Sequence, residues 1–429
     1  MSGSSKSGRR VSRAAQREAL LAQAAKVEVE KSYDVVVIGG GAAGLVAAIC
    51  AAEDDASVLV LERDLECGRS ILATGNGRCN FSNVELDAEA YNDPEFVSAV
   101  FGGDALQDIL GFFRDCNLRW GLEGARLYPM SRKAASVRNV LIARAEAAGV
   151  TLAPARSVTL VEAMGGEGED ADGRGGFEVT FDEVFGGEAD SRTVEARYVV
   201  AASGGGALEA LDGLGLESTE FSAALCPVAC EADFLEELDG CRVHVRAQLS
   251  HGRFPCWSER GEVLFRSYGL SGIVTFNMSR EVEEGDTVEL DLAPDLGSSD
   301  LQQIVDPFGR GEFAPGCLDG VLDPKVAAVV EGMAEDSEEL ISLVKALPLR
   351  ATGTCEEDSA QVTQGGLVNE QFDDGTLECT DVPGLFACGE VLDVDGACGG
   401  YNLSWAWKSG MVAGAAAARR AQKLVRAAR

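Results

Sequence analysis

Three glycines and a glutamate early in the chain have the residue types and the spacing that hold a dinucleotide. Gly39, Gly41 and Gly44 follow an apolar run in a G-x-G-x-x-G pattern, and Ala43 lies within it. In such a turn the first glycine permits the tight bend, the second lets the backbone approach a pyrophosphate, and the third lets a helix pack against a strand. Glu62 ends a second apolar run 18 residues after Gly44, where a carboxylate can accept hydrogen bonds from ribose hydroxyls. The pattern predicts a strand–turn–helix–strand unit that binds a dinucleotide, rather than a glycine-rich turn followed by an unrelated exposed glutamate.

Three further segments combine glycine with polar side chains that could contact the same ligand. The segment 74–80 exposes backbone N–H groups at its glycines, and its Arg78 and Asn80 offer donors to a phosphate or a ring carbonyl. In 389–395, a glycine at the end of a predicted strand precedes carboxylates suited to ribityl hydroxyls. The segment 399–403 begins the last predicted helix, whose dipole would favour negative charge on a reduced flavin ring.

The composition limits the classes of partner. The chain has 429 residues, of which 46% are hydrophobic, which is enough for two or three domains with a substantial core. Its formal net charge of −33 predicts an acidic body that repels nucleic acid and anionic membranes. The thirteen cysteines form no C-x-x-C pair, so we predict no metal site and mostly reduced thiols. Because there is no apolar run of about 18 residues and no export signal, we expect a cytoplasmic protein.

Changes in the pattern of apolar residues divide the chain into three parts. Residues 1–31 are expected to form a flexible N-terminal extension with a short exposed helix. A dinucleotide-binding domain of alternating helices and strands is predicted for 32–220 and 348–429, and 221–347 would be an inserted domain. Another predicted strand ends in the glycine-rich turn 203–206, which we interpret as one more loop lining the same dinucleotide, since no acid-terminated second strand follows it.

Several short segments, taken together, resemble the BaiN-like flavoproteins, also described as YhiN-type or aminoacetone oxidase-like FAD-binding enzymes. The resemblance extends over about residues 33–415 and implies a bound FAD. It implies an α/β fold with a glutathione-reductase-type, Rossmann-like FAD-binding domain and an inserted substrate domain that is part β-barrel and part helical. The segments that carry it are 39–44, 75–80, 127–129, 268–272, 352–354, 361–366, 389–396 and 399–402.

The resemblance, added to the glycine pattern, assigns a set of residues to the cofactor. All of them lie in the segments described above or directly beside them. The residues expected to bind FAD are Gly39, Gly41, Ala43, Gly44, Glu62, Arg63, Arg69, Gly75, Gly77, Arg78, Cys79, Asn80, Ser203, Gly204, Gly389, Glu390, Asp393, Gly400, Tyr401, Asn402 and Leu403.

The activity implied by the resemblance is that of an FAD-dependent oxidoreductase. We expect a reductase driven by NADH or NADPH that transfers a hydride from flavin N5 to an enone-like small molecule, steroid- or bile-acid-like in kind. Arg78 and Asn80 would position the reacting groups electrostatically and Tyr401 would donate a hydrogen bond or proton, unless all three simply hold FAD. No second nucleotide-binding unit is visible, so the pyridine nucleotide would bind transiently at the flavin face.

Other functions stay open on the sequence alone. A flavin-dependent amine oxidase that passes electrons to O₂ would use the same FAD site, and a non-catalytic flavin-binding protein would also need it. A disulfide reductase would need closely spaced cysteines, whereas Cys67 and Cys79 are 12 residues apart. A tRNA-modifying flavoenzyme would need basic patches, which the acidic body disfavours. His244 and His251 are more readily interpreted as surface residues than as proton donors.

Overall fold

The structure is a computed structural model that describes residues 12–165, 175–185, 190–205, 208–355 and 360–427. Side chains of the last helix are described as far as residue 422. The first eleven residues of the expected extension and the last residue of the turn 203–206 lie outside the described residues.

The helices of the described residues are α1 (Arg13–Ala24), α2 (Ala42–Glu53), α3 (Arg69–Ala73), α4 (Pro94–Phe101), α5 (Ala105–Asp115), α6 (Ala134–Ala147), α7 (Leu235–Leu238), α8 (Ile273–Met278), α9 (Ser298–Val305), α10 (Pro324–Met333), α11 (Ser337–Lys345) and α12 (Tyr401–Ala427).

The strands are β1 (Ser32–Ile38), β2 (Val58–Glu62), β3 (Ser82–Asn83), β4 (Trp120–Glu123), β5 (Arg126–Pro129), β6 (Thr151–Pro154), β7 (Arg156–Ala163), β8 (Phe177–Glu183), β9 (Asp190–Ala201), β10 (Ser222–Ala224), β11 (Val228–Glu231), β12 (Arg242–His251), β13 (Phe254–Arg266), β14 (Gly269–Ser271), β15 (Thr287–Asp291), β16 (Leu347–Thr354), β17 (Val362–Gln364) and β18 (Leu385–Ala387).

The first compact unit, residues 1–221 and 365–429, is built on a seven-stranded sheet. Strands β6, β2, β1 and β9 follow one another in parallel, and β18 also pairs with β9 in parallel. The antiparallel strands β8 and β7 continue from β9 as a meander. Strands β1 and β2 are buried almost throughout, which explains why their sequences are continuous apolar runs rather than alternating ones.

The second compact unit, residues 222–364, contains a closed barrel of six strands. The barrel order is β11, β14, β13, β12, β15 and β16, and β16 closes it on β11. Side chains of the barrel strands share one hydrophobic core with helices α9, α10 and α11. The predicted Rossmann-like α/β fold with an inserted unit of barrel and helices is therefore confirmed.

The second boundary of the inserted unit differs from the expected one. The expectation placed 348–429 in the dinucleotide domain, but the second unit extends to residue 364. The reason is β16, which pairs with both β11 and β15 and is needed to close the barrel. Strand β17 also belongs to this unit, through its pairing with β10. Alternating apolar residues in β16 show that one face of the strand is buried, but they do not identify the sheet it joins.

Two pairs of elements are each separated by a residue with positive φ. Gly102 has a φ of +63° and ends α4, so α4 and α5 are separate helices. Ala155 has a φ of +57° and lies between β6 and β7. At each of these residues the positive φ ends one element, and the next element begins within a few residues.

The segment before β1 is attached to the sheet through one buried arginine. Arg156 is 1% exposed, and its guanidinium group donates to the carbonyl oxygens of Ala24 (3.3 Å) and Val27 (2.9 Å) and to Glu183 Oε1 (2.9 Å). Residues 13–24, expected to lie in a flexible extension, form helix α1. The part of the extension that follows α1 is thus tied to β7 and β8 rather than loose.

No single helix in the described parts of the chain has both the length and the apolar composition to cross a membrane. Helices α4 and α5 meet those two criteria only as a pair, with a bend of 51° between them.

We expect Arg156→Met to lower the free energy of unfolding by about 3–5 kcal/mol. The substitution removes the buried donor to Glu183 and to the carbonyl oxygens of Ala24, Val27 and Pro154. Arg192→Met is the matched control, since Arg192 Nη1 lies 3.0 Å from the same Glu183 oxygen but its side chain is 44% exposed. A loss of at most about 1 kcal/mol is expected for the control. Urea unfolding monitored by circular dichroism measures both, and equal losses would contradict the anchoring role.

Candidate functional site

Gly39 and Gly44 lie in the turn between β1 and α2, where no side chain fits. A Cβ atom at Gly39 would lie 2.4 Å from the carbonyl oxygen of Ala202, and one at Gly44 would lie 2.0 Å from that of Gly39. Gly39 also has a φ of +101°, which favours glycine. These glycines bring β1, α2 and the end of β9 together, as the sequence pattern predicted.

Gly41 differs, because the space beside it is open. Its φ is −77°, and a Cβ there would meet only Ser70 Oγ, at 3.4 Å. Gly41 is the N-cap of α2, so the N–H groups of the first helical turn have no intrahelical acceptors. The arrangement is a concave, N–H-lined surface at a helix start, which suits a pyrophosphate.

Glu62 connects the end of β2 to this turn. Its Oε2 accepts the backbone N–H of Gly40 and its Oε1 accepts that of Asp64, both at 2.7 Å. Burial raises the pKa of Glu62, and the two backbone hydrogen bonds oppose that rise. Each carboxylate oxygen has a second lone pair that could accept a ribose hydroxyl.

Asn80 has a polar atom that the described structure leaves without a partner. Its Oδ1 is buried and accepts no hydrogen bond within the described residues. A Cβ at Gly400 would lie 3.1 Å from this oxygen and 2.7 Å from the carbonyl oxygen of Ser82, and Gly400 has a φ of +100°. Asn80 therefore lies against the residue that precedes α12. A buried amide oxygen without a donor indicates that a further group donates to it.

Side chains from α12 fix the residues after Asn80 in place. Trp407 Nε1 donates to the carbonyl oxygen of Phe81 at 2.8 Å, and the hydroxyls of Ser82 and Ser404 lie 2.9 Å apart. The amide of Asn83 donates to the carbonyl oxygen of Gly399 at 3.0 Å. The segments 74–80 and 399–403, predicted separately, are thus brought together.

Gly389 is placed between α12 and the dinucleotide turn. Its N–H donates to Ser409 Oγ at 2.9 Å, and its carbonyl oxygen accepts Trp405 Nε1 at 3.0 Å. A Cβ at Gly389 would lie 2.7 Å from the Cβ of Ala43. The three glycine-rich segments consequently converge on the carboxyl ends of β1 and β18.

Several predicted residues make protein contacts of their own. Asp393, predicted to accept ribityl hydroxyls, accepts the side chain of Asn92 at 3.2 Å and that of Thr219 at 2.9 Å. Arg69 is exposed and pairs with Asp64 at 3.1 Å. These contacts hold loops of the first unit together.

The residues predicted to lie near the reacting ring also form hydrogen bonds or ion pairs with other protein groups. Arg78 Nη2 lies 2.5 Å from Glu123 Oε1. Tyr401 Oη donates to the carbonyl oxygen of Glu85 at 3.3 Å, and burial raises the pKa of its phenol. Asn402 forms hydrogen bonds with both the N–H and the carbonyl of Gly396, which closes the loop before α12.

The remaining predicted residues lie within or directly beside the same turns. Cys79 is a buried thiol whose pKa burial raises to about 11, and it has a φ of +56°. Gly75 and Gly77 also have positive φ, at +55° and +78°. Arg63 is exposed, whereas Gly204, Ser203, Glu390 and Leu403 are partly buried.

The sequence reading missed one residue of this region. Asn369 is 6% exposed, and its Nδ2 donates to the carbonyl oxygen of Asp393 at 3.0 Å and to Asp93 at 2.9 Å. Its Oδ1, like that of Asn80, is buried without a partner within the described residues. No local pattern distinguishes this asparagine from a surface one, because its burial depends on loops distant in sequence.

His251 and Asp286 form a pair in the second unit. His251 Nδ1 lies 2.8 Å from Asp286 Oδ1, and Asp286 Oδ2 accepts the backbone N–H of Glu283 at 2.8 Å. The hydrogen bond to Asp286 raises the pKa of His251, and the charges of Asp286 and Glu283 add to this effect. A raised pKa in the folded state means that the pair stabilises the barrel below the unfolded-state pKa and loses this effect as pH rises through the folded-state value.

We expect Asp286→Asn to lower the pKa of His251, because it removes the carboxylate that favours the imidazolium. Proton NMR of the imidazole signals as a function of pH measures this directly, since the chain has only two histidines. The His244 signal serves as the internal reference. If the pKa of His251 were unchanged in Asp286→Asn, the result would contradict the pairing.

The comparisons with known proteins agree on the family. A family model described as "HI0933-like protein Rossmann domain" matches residues 33–416. The 3-dehydro-bile acid delta(4,6)-reductase of Clostridium scindens is 33% identical over 420 residues, which cover 90% of this chain and 98% of that protein. The ribosomal RNA dihydrouridine synthase of Escherichia coli is 26% identical and covers 88% of this chain and 96% of that protein.

Among solved structures, the 3-ketosteroid delta1-dehydrogenase of Sterolibacterium denitrificans is 14% identical, covers 91% of this chain and all of that chain, and has a TM-score of 0.48. The family match and the bile acid reductase confirm the resemblance inferred from the sequence. With a family model that spans nearly the whole chain and relatives matched end to end, this protein belongs to the HI0933-like family.

Proposed function

We propose that this protein is an FAD-dependent oxidoreductase that uses NADH or NADPH to reduce a carbon–carbon double bond conjugated to a carbonyl in a small molecule. The observation that carries the proposal is the end-to-end similarity to a 3-dehydro-bile acid delta(4,6)-reductase, whose name denotes this chemistry. Steroid-like enones are the substrate class that this similarity favours. The expected cytoplasmic location is part of the same proposal.

In this proposal, each part of FAD would have its own set of residues. Gly41 and the first-turn N–H groups of α2 would bind the pyrophosphate, and Glu62 would accept the ribose hydroxyls. The amide of Asn80 and the start of α12 would face the ring system, where the positive end of the helix dipole favours the charge that reduction adds. When bound, FAD supplies a hydride at N5 of its ring.

The protein's own side chains have to orient the enone and supply a proton. A polarised carbonyl makes the β-carbon electron-poor and ready to accept a hydride, and the α-carbon then takes a proton. A phenol is protonated at neutral pH even without the rise in pKa that burial causes, and we assign Tyr401 the role of donor.

A second candidate substrate is a uracil base in RNA. The relative that favours it is the ribosomal RNA dihydrouridine synthase, and uracil also contains a carbon–carbon double bond conjugated to a carbonyl. The net charge of −33 weighs against a polyanionic partner, so we rank this candidate second.

We expect Gly41→Ala to weaken FAD binding at least about tenfold, or about 1.4 kcal/mol, without unfolding the protein. Its backbone conformation suits alanine and the added methyl has room, but that methyl would occupy the space beside the pyrophosphate. Titration of the apoprotein with FAD, followed by quenching of flavin fluorescence, measures the affinity. Gly103→Ala is the control, because a Cβ there meets nothing within 4 Å. Equal FAD affinity in both variants would argue against this placement.

The activity itself is tested by anaerobic stopped-flow absorbance of the flavin. NADH or NADPH is expected to bleach the flavin, and a 3-oxo-4-ene steroid to restore its colour while gaining two hydrogens by mass spectrometry. Bleaching by amines alone, with reoxidation by O₂, would identify an amine oxidase instead. Reoxidation by a uridine-containing RNA but not by the steroid would favour the second candidate. A protein that cannot retain FAD after reconstitution would overturn the whole assignment.

A further inference from the structure

Arg78, Arg132 and Glu123 form a charged cluster over the ring of Tyr128. Arg78 Nη2 and Arg132 Nε lie 2.5 Å and 3.0 Å from the same oxygen, Glu123 Oε1. The guanidinium carbons lie 4.5 Å and 5.4 Å from the centroid of the Tyr128 ring. One carboxylate and one aromatic ring thus hold two guanidinium groups side by side.

The cluster carries an excess positive charge that solvent and ligands can reach. It contains two cations and one anion, and its side chains are 43% (Arg78), 33% (Arg132) and 42% (Glu123) exposed. Each guanidinium group has five N–H donors in a planar fork, far more than one carboxylate oxygen can accept. The cluster can therefore accept an additional oxyanion.

The surrounding sequence adds to this positive charge. Residues 114–133 contain five Arg or Lys and two Asp or Glu, in a chain with a net charge of −33. The segment includes the last two residues of α5 and the hairpin of β4 and β5, which presents Glu123 and Tyr128. A basic segment in so acidic a chain creates a local field of opposite sign within a Debye length of about 8–10 Å.

The backbone at Arg132 is held in an uncommon conformation. Arg132 has a φ of +55°, a region that residues with a Cβ rarely adopt. Its N–H donates to the carbonyl oxygen of Pro129 at 2.8 Å, and its Nη1 donates to that of Gly121 at 3.3 Å. The surrounding hydrogen bonds thus maintain a strained residue whose side chain lies on Tyr128, as is common at binding sites.

The cluster adjoins the proposed cofactor site through the chain itself. Arg78 is two residues before Asn80, whose buried amide oxygen faces the start of α12. Arg78 and Asn80 therefore belong to one short turn, 74–80.

We propose that Arg78 and Arg132 bind an anionic group of the substrate, a carboxylate or a phosphate ester, located away from the double bond that is reduced. Glu123 balances the two arginines and competes with that anion for their N–H groups. Tyr128 holds both guanidinium planes in place by stacking. The inference rests on the proposed function and adds a substrate class to it: small molecules with one anionic end.

The test compares an anionic substrate with its neutral counterpart. The substrates are a 3-oxo-4-ene steroid with a side-chain carboxylate and the methyl ester of the same compound, and the measured quantity is the ratio of their kcat/KM values. Arg132→Gln is expected to lower the preference for the acid about threefold to tenfold, mainly through KM, with partial recovery in Arg132→Lys. Glu123→Gln is expected to raise it, because the competing carboxylate is gone. Arg114→Gln, an exposed residue with the same change of charge, is expected to leave the ratio unchanged.

The outcomes separate this inference from the function on which it rests. If the wild-type protein reduces acid and ester equally well and Arg132→Gln leaves the ratio unchanged, the anion site is wrong while the reductase stands. If neither compound is reduced, the same comparison with uridine monophosphate and uridine distinguishes a phosphate from a carboxylate as the bound group. Equal changes in Arg114→Gln and Arg132→Gln would show a general effect of charge and overturn the site. A lack of activity on both substrate pairs overturns the proposed reductase and, with it, this inference.

Discussion

The close packing of α12 on α2 is the contact on which the whole site depends. A Cβ at Gly410 would lie 2.6 Å from the carbonyl oxygen of Ala43, and one at Gly414 would lie 2.2 Å from that of Ala47. The backbones of the two helices are thus in direct contact. Gly410 and Gly414, one turn apart on α12, lie against Ala43 and Ala47, one turn apart on α2. Larger residues at these positions would push α12 away from α2. Trp405 and Trp407 of this helix donate to the carbonyl oxygens of Gly389 and Phe81, and Ser409 accepts the N–H of Gly389, so all three hydrogen bonds require its position.

Elements that depend on local chemistry could be predicted from the sequence, and those that depend on distant partners could not. The strand, turn and helix around Gly39 and Gly44 follow from an apolar run and from glycines with no room for a side chain. The convergence of the three glycine-rich segments was likewise implied by a shared ligand. In contrast, the role of β16 in the barrel depends on β11 and β15, far away in sequence. Burial of Asn369 and the reversal at Ala155 depend in the same way on packing that no short window contains.

Two acidic residues that look alike in sequence are held in place differently in the structure. Glu62 and Asp393 both follow a buried strand closely, and both were predicted to accept hydroxyls of the cofactor. Glu62 accepts backbone N–H groups, which hold its carboxylate at the dinucleotide turn. Asp393 accepts the side chains of Asn92 and Thr219, one on each carboxylate oxygen, and so joins two loops of the first unit. Each oxygen of both carboxylates keeps a second lone pair, so both residues remain predicted contacts of the cofactor, and they differ in what holds them in place.

The net charge of the protein and the local charge at one surface cluster affect different kinds of partner. The value of −33 describes the field at long range, which opposes the approach of any large polyanion. Screening limits that field to about 8–10 Å at physiological salt, so it has little influence on a small ion already at the surface. At contact, the two guanidinium groups over Tyr128 dominate, and they favour an anion. With the proposed anion site, the protein would select by size as well as by sign, because a singly charged small molecule meets the cluster without bringing further negative charge against the acidic body.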